Sequence, residues 1–125
     1  MAKILVVEDS PDNMKLCTAL LTLGGHQVVG LPSGDGLINT IRDASPDLVL
    51  MDIQLPDRDG FTLLQEIRSS EFRGARVIAL TAHAMSGDKE KAMESGFDGY
   101  ITKPIDIRRF PDQVLRALGG EKVTD

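Results

Sequence analysis

The sequence predicts an α/β domain: a single doubly wound (βα)5 unit whose five-stranded parallel sheet carries helices on both faces. Three observations lead there. Short β-branched apolar runs alternate strictly with longer amphipathic stretches, five times over. The first run, Ile4-Leu5-Val6-Val7, is apolar without interruption, as a strand covered on both faces must be. Right-handed crossovers between parallel strands then leave few other ways to wind such an alternation.

The elements follow in order. After the first strand, Ser10-Pro11 is a helix start, a side-chain cap followed by a residue whose missing N–H costs nothing there. Met14, Cys17 and Leu21, with Leu16 and Leu20 beside them, form that helix's apolar stripe, and Gly24-Gly25 stops it. His26 to Val29 reads as the second strand. The second helix is expected from near Ser33, burying Leu37, Ile38 and Ile41. Leu48 to Met51 is the third strand, and the third helix follows Asp59-Gly60 with Phe61, Leu64 and Ile67 on one face. Val77 to Leu80 is the fourth strand. The fourth helix, the weakest pattern, runs from about Ser86 through Ala92 and Met93 to Gly96. Gly99 to Ile101 is the fifth strand, and the fifth helix carries Phe110, Val114, Leu115 and Leu118. Pro111 would cost about 3 kcal/mol inside a helix, so that helix is expected to start late or to kink.

At 125 residues the chain suffices for one domain, read as residues 1–120 with a flexible tail at 121–125. Met1 directly before the first strand reads as a natural N-terminus. Hydrophobic residues make up 42% and charged residues 26%, which excludes disorder, collagen and coiled coil as global descriptions. Nineteen acidic residues against fourteen basic give a net charge of −5, and this argues against a nucleic-acid binder and a polybasic membrane anchor. No apolar run is long enough to span a bilayer. Cys17 stands alone, so no intramolecular disulfide forms, and a reducing, cytoplasmic setting is expected.

In open parallel sheets, functional groups gather at the carboxyl ends of the strands. The first strand is followed by Glu8-Asp9, the third ends in Asp52, the fourth ends at Thr81, and the fifth is followed by Lys103-Pro104. Three carboxylates, a hydroxyl and an ammonium should therefore converge. Carboxylates a few ångströms apart need compensation. One lysine is not enough, and a hard divalent cation with oxygen ligands, Mg²⁺ before zinc, is the natural partner.

This set resembles the receiver domain of two-component response regulators, the CheY-like family with its flavodoxin-like fold. The segments that carry the likeness are Ile4 to Asp9, Asp47 through Pro56 to Asp59-Gly60, Ala79-Leu80-Thr81-Ala82 and Gly99 to Pro104, so it spans nearly the whole chain. The resemblance implies that Asp52 accepts a phosphoryl group from a phosphohistidine on a sensor histidine kinase or histidine phosphotransfer protein. It implies that Asp9 binds Mg²⁺ directly and Glu8 through water, with Asp52 and the Gln54 carbonyl as further ligands. Lys103 and Thr81 would hold phosphoryl oxygens, Thr81 and Tyr100 would form the switch, and Gln54 and His83 would tune the lifetime. Small Ala82 would admit the donor's histidine, and the Lys103–Pro104 peptide is expected to be cis. The downstream partner would meet the face formed by helix 4, strand 5 and helix 5, to which Met85, Met93, Ile105 and Phe110 are candidates to contribute. With no residues left for an output domain, signalling is expected to run through protein–protein contact.

Other signals carry less. Asp57-Arg58-Asp59-Gly60 lacks the ligands of a calcium loop and reads as turn and helix-start chemistry. His26 and Cys17 read as structural, and Arg108-Arg109 slightly oppose a helix dipole. Two other classes stay open: a Mg²⁺-dependent phosphatase with an aspartate nucleophile, marked by multiple turnover, and a binder of flavin phosphate. The second is opposed by Ser10-Pro11-Asp12-Asn13, which adds negative charge where a phosphate cradle is needed.

Overall fold

The parallel sheet is built from strands whose residues are apolar on both faces, because helices cover both. The computed structural model describes residues 2–55, 59–82 and 88–124, Asp88 by its backbone alone. The strands are β1 (Lys3–Val7), β2 (Gln27–Leu31), β3 (Leu48–Asp52), β4 (Val77–Thr81), β5 (Gly99–Thr102) and a short β6 (Val123–Thr124). The helices are α1 (Pro11–Leu23), α2 (Leu37–Ala44), α3 (Gly60–Arg68), α4 (Asp88–Ser95) and α5 (Phe110–Leu118). All strands are parallel, in the order β2-β1-β3-β4-β5-β6.

Strand alternation divides the core into two. Leu5, Val7, Val49, Met51, Val77 and Ala79 face α2, α3 and α4, whereas Ile4, Val6, Leu48, Leu50, Ile78 and Leu80 face α1 and α5. β1, β3 and β4 are buried almost throughout. β2, at the sheet edge, is not, which explains its weaker apolar signal.

Several expectations change. The sheet has six strands, not five. The sixth comes from the segment set apart as a tail, where Val123 pairs with Gly99 and Thr124 with Tyr100. α2 begins at Leu37, not near Ser33: the Ser33 hydroxyl accepts from Asp35 N (3.2 Å) and closes a turn, and the helix starts only after Gly36. Ile38 is only partly buried. α5 starts late, at Phe110, so that Pro111 occupies the first turn, where no N–H is needed. Leu115 is 58% exposed and lies off the apolar face that Phe110, Val114 and Ala117 form. Leu63, unmarked in the sequence reading, is fully buried on α3. The proposed start at Ser86 lies outside the described residues.

One unforeseen clamp ties the far end together. The Arg68 guanidinium donates to the carbonyls of Arg73, Ala75 and Gly96 and meets Asp98 Oδ2 at 3.1 Å. Asp98 in turn accepts from Val77 N (2.8 Å), holding the start of β4. Among the described residues no helix is long and apolar enough to cross a membrane.

Candidate functional site

Register puts the site together before any side chain is considered. Val7 lies beside Met51, so the next residue, Glu8, comes next to Asp52. Asp52 pairs with Leu80 and Thr81 with Thr102, and Lys103 N donates to Thr81 O at 2.7 Å. The four strand ends thus deliver Glu8, Asp52, Thr81 and Lys103 to one edge, as the sequence predicts.

The carboxylate oxygens of Glu8, Asp9 and Asp52 approach within 4.8 Å of one another. Glu8, Asp52 and Thr81 are almost wholly buried, whereas Asp9 is exposed at the rim. The Lys103 ammonium sits between two of these acids, 2.7 Å from Glu8 Oε1 and 2.9 Å from Asp52 Oδ2. Ser10 N donates to Glu8 Oε2 (3.2 Å) and Gln54 N to Asp52 Oδ1 (2.8 Å), fixing both carboxylates from the following loops.

The electrostatics follow from this crowding. Burial pushes the Glu8 carboxyl above the ordinary carboxylate range, and adjacent Asp52 adds to it, against the pull of Lys103 and of Ser10 N. Burial alone would pull Lys103 down, but hydrogen bonds and attraction from Glu8 and Asp52 outweigh it and raise its ammonium. Cys17, beneath the site, is pushed up to about 11 by burial and by nearby Glu8, which suits an inert core thiol. One ammonium among three acids leaves charge uncompensated, and all the donors are oxygens. The set fits a hard divalent cation.

Two features of the support were not read in the sequence. One is the ion pair between Glu8 and Lys103. The other is Gly60, whose N donates to Ile53 O (3.0 Å) and where a Cβ would fall 2.6 Å from Ile53 Cα and 3.0 Å from Asp52 O. The Asp-Gly before an apolar run signalled a helix start, which Asp59 provides by accepting from Thr62 N (2.8 Å). It did not reveal that the helix abuts the backbone of Asp52. Gly60→Ala should lower stability by about 1–3 kcal/mol and slow any reaction at Asp52, as read by denaturant unfolding beside a labelling assay.

Tyr100 is half-buried. It pairs with Ala79 and lies on the same sheet face as Thr81, with the Lys89 ammonium 5.1 Å from its ring centre. The Lys103–Pro104 peptide is cis. Ile105 and Phe110 are core residues and do not form an exposed face; Met93 is half-buried. His83, Met85, Asp57 and Arg58 lie outside the described residues.

A family model described as the response regulator receiver domain matches residues 4–115. The chain belongs to that family. Among curated relatives, this receiver is 38% identical over 117 residues to the polar-differentiation response regulator DivK of Brucella ovis, covering 93% of this chain and 95% of the relative. It is also 38% identical to part of the sensor protein GacS of Pseudomonas syringae, covering 94% of this chain but 13% of that protein. Among solved structures, the receiver domain of sensor histidine kinase PA1611 from Pseudomonas aeruginosa, described with a magnesium ion coordinated in its active site cleft, superposes with a TM-score of 0.85. Its identity is 34%, over 94% of this chain and 98% of that one. A putative response regulator from Chloroflexus aurantiacus gives a TM-score of 0.88 at 25% identity, over 94% and 98%. The receiver is thus a signalling module related to both response regulators and histidine kinases, and its acidic cluster fits a phosphorylation site.

The raised Glu8 gives this receiver a pH signature. A carboxyl whose folded pKa lies above its unfolded value stabilises the fold at low pH, and that contribution is lost as pH rises through the folded value. A divalent cation favours the ionised form. The gain in Tm on adding Mg²⁺ should therefore grow as pH rises, and Glu8→Gln should flatten that dependence in thermal melts.

Proposed function

We propose that the protein is a phosphorylatable receiver that takes one phosphoryl group onto Asp52 from a phosphohistidine of a sensor histidine kinase or histidine phosphotransfer protein. The observation that carries this is the Lys103 ammonium held between Glu8 and Asp52 within a cluster of three carboxylates. An Asp52 carboxylate oxygen attacks phosphorus as the P–N bond to the donor imidazole breaks, and that bond's electron pair leaves with the imidazole nitrogen. Lys103 and the Thr81 hydroxyl bind phosphoryl oxygens as Asp52 loses its free charge. Asp9, Asp52, the Gln54 carbonyl and, through water, Glu8 would hold Mg²⁺, which would supply neutralisation of the transferring group when bound. Later attack of water on phosphorus resets Asp52, at a rate that Gln54 and His83 tune.

Thr81 moving toward the phosphoryl group frees space into which Tyr100 turns, and their shared sheet face supports this coupling. The result is read by a downstream protein at helix 4, strand 5 and helix 5, with no nucleic acid and no membrane involved. A reducing, cytoplasmic setting suits the buried Cys17.

The test is intact mass after incubation with acetyl phosphate, with Mg²⁺ and with chelator. One phosphoryl group per chain, gained only with the metal, is expected. Multiple turnover of a phosphomonoester without a retained group would instead make the protein a phosphatase.

A further inference from the structure

The sixth strand ends the sheet where a five-stranded receiver would leave β5 as the edge, and its fit is specific. A Cβ on Gly99 would lie 2.3 Å from Val123 O and 2.7 Å from Val123 N, so the strand docks only because residue 99 has no side chain. Val123 is buried against the α1–α5 layer at 1% exposure, and the Arg76 guanidinium holds the approach through Glu121 O at 3.0 Å. Thr124 lies on the opposite face. It pairs with Tyr100, and the two, with Lys89, Glu90, Met93 and Glu94 of α4, line an open cavity of about 350 Å³. No α5 residue lines it: the cavity wall is made by α4, β5 and β6.

We infer that β6 is a displaceable strap over the β5 edge, loosened when the phosphoryl site is filled. The inference rests on the proposed movement of Tyr100 and deepens it. The strap is held by a two-residue ladder, one buried apolar side chain and the Arg76 hydrogen bond at its approach, a weak attachment beside the core strands. When the Tyr100 ring leaves the cavity for the space near Thr81, Thr124 loses the side chain of its ladder partner as a neighbour along the cavity. Release then bares the unpaired backbone of β5 beside α4, a surface that can take an extended segment of a partner. Linkage makes the effect reciprocal: a chain whose strap is undocked binds at the phosphoryl site more tightly by the factor with which filling that site loosens the strap.

The test uses the full chain and beryllium trifluoride with Mg²⁺ as the phosphoryl probe. Amide exchange across residues 121–124 should speed up by about five-fold or more when the probe binds. Gly99→Ala and Val123→Ser, which weaken docking in different ways, should free those amides without the probe and bind it more tightly, by up to the factor with which the probe speeds exchange in the native chain. Binding of the probe with unchanged exchange in the native chain and unchanged affinity in both variants overturns the strap and leaves the receiver chemistry standing. Failure of the native chain to bind the probe at all overturns the receiver chemistry, and the coupling with it.

Discussion

Asp52→Asn is expected to abolish phosphoryl gain from acetyl phosphate, leaving the intact mass unchanged where the native chain gains one group. The amide lacks the charged oxygen that attacks phosphorus, and among the described residues no second carboxylate takes its place. Glu8 is buried and engaged by Lys103 and Ser10 N, and Asp9 sits at the exposed rim. The same variant should be more stable than the native chain without metal, by about 1–2 kcal/mol, because one of two adjacent buried like charges is gone. It should also bring the Glu8 carboxyl back down, since Asp52 raises it both by hydrogen bonding and by repulsion. Label retained on the variant, or a metal-free fold less stable than native, would contradict this account.

Lys103→Met should act in the opposite sense on stability and the same sense on chemistry. Its ammonium is the cation of the cluster, 2.7 Å from Glu8 and 2.9 Å from Asp52 with its side chain only 14% exposed. Removing one partner of a buried charge pair typically costs about 3–5 kcal/mol. Proton uptake by Glu8 relieves part of this, so a loss of about 2–4 kcal/mol is expected without metal, smaller at acid pH. Mg²⁺ should restore much of the lost Tm, because it answers the same charges. Phosphorylation by acetyl phosphate should nonetheless fall by about a hundred-fold or more, since the metal does not replace the lysine's contact with the transferring group. Parallel melts and labelling time courses on the two variants separate the charge-balancing role from the chemical one.

Asp52, Thr81 and Lys103 were legible because β-strands end abruptly and leave their last residue at a predictable edge. Once Leu48–Met51 and Val77–Leu80 read as strands, the residues after them had to meet. Pro111 was legible in the same local way, since backbone chemistry confines it to a first turn. What escaped were contacts between segments distant in sequence. β6 has only two residues and no alternation to betray it, and it exists because Gly99, 24 positions earlier, leaves room for it. The abutment of Gly60 on Asp52 and Ile53 and the Arg68 clamp on β4 and α4 are likewise set by how helices settle on the sheet.

Local periodicity and residue chemistry therefore determined the alternating architecture and which groups reach its carboxyl edge. The packed chain alone decided that Lys103 binds Glu8 as well as Asp52, that burial raises the Glu8 carboxyl, and that a sixth strand closes the sheet. The physical reason is one of range. Strand and helix preferences act over a few residues and are written where they act, whereas dielectric environment, ion pairing and steric fit depend on neighbours that only folding supplies.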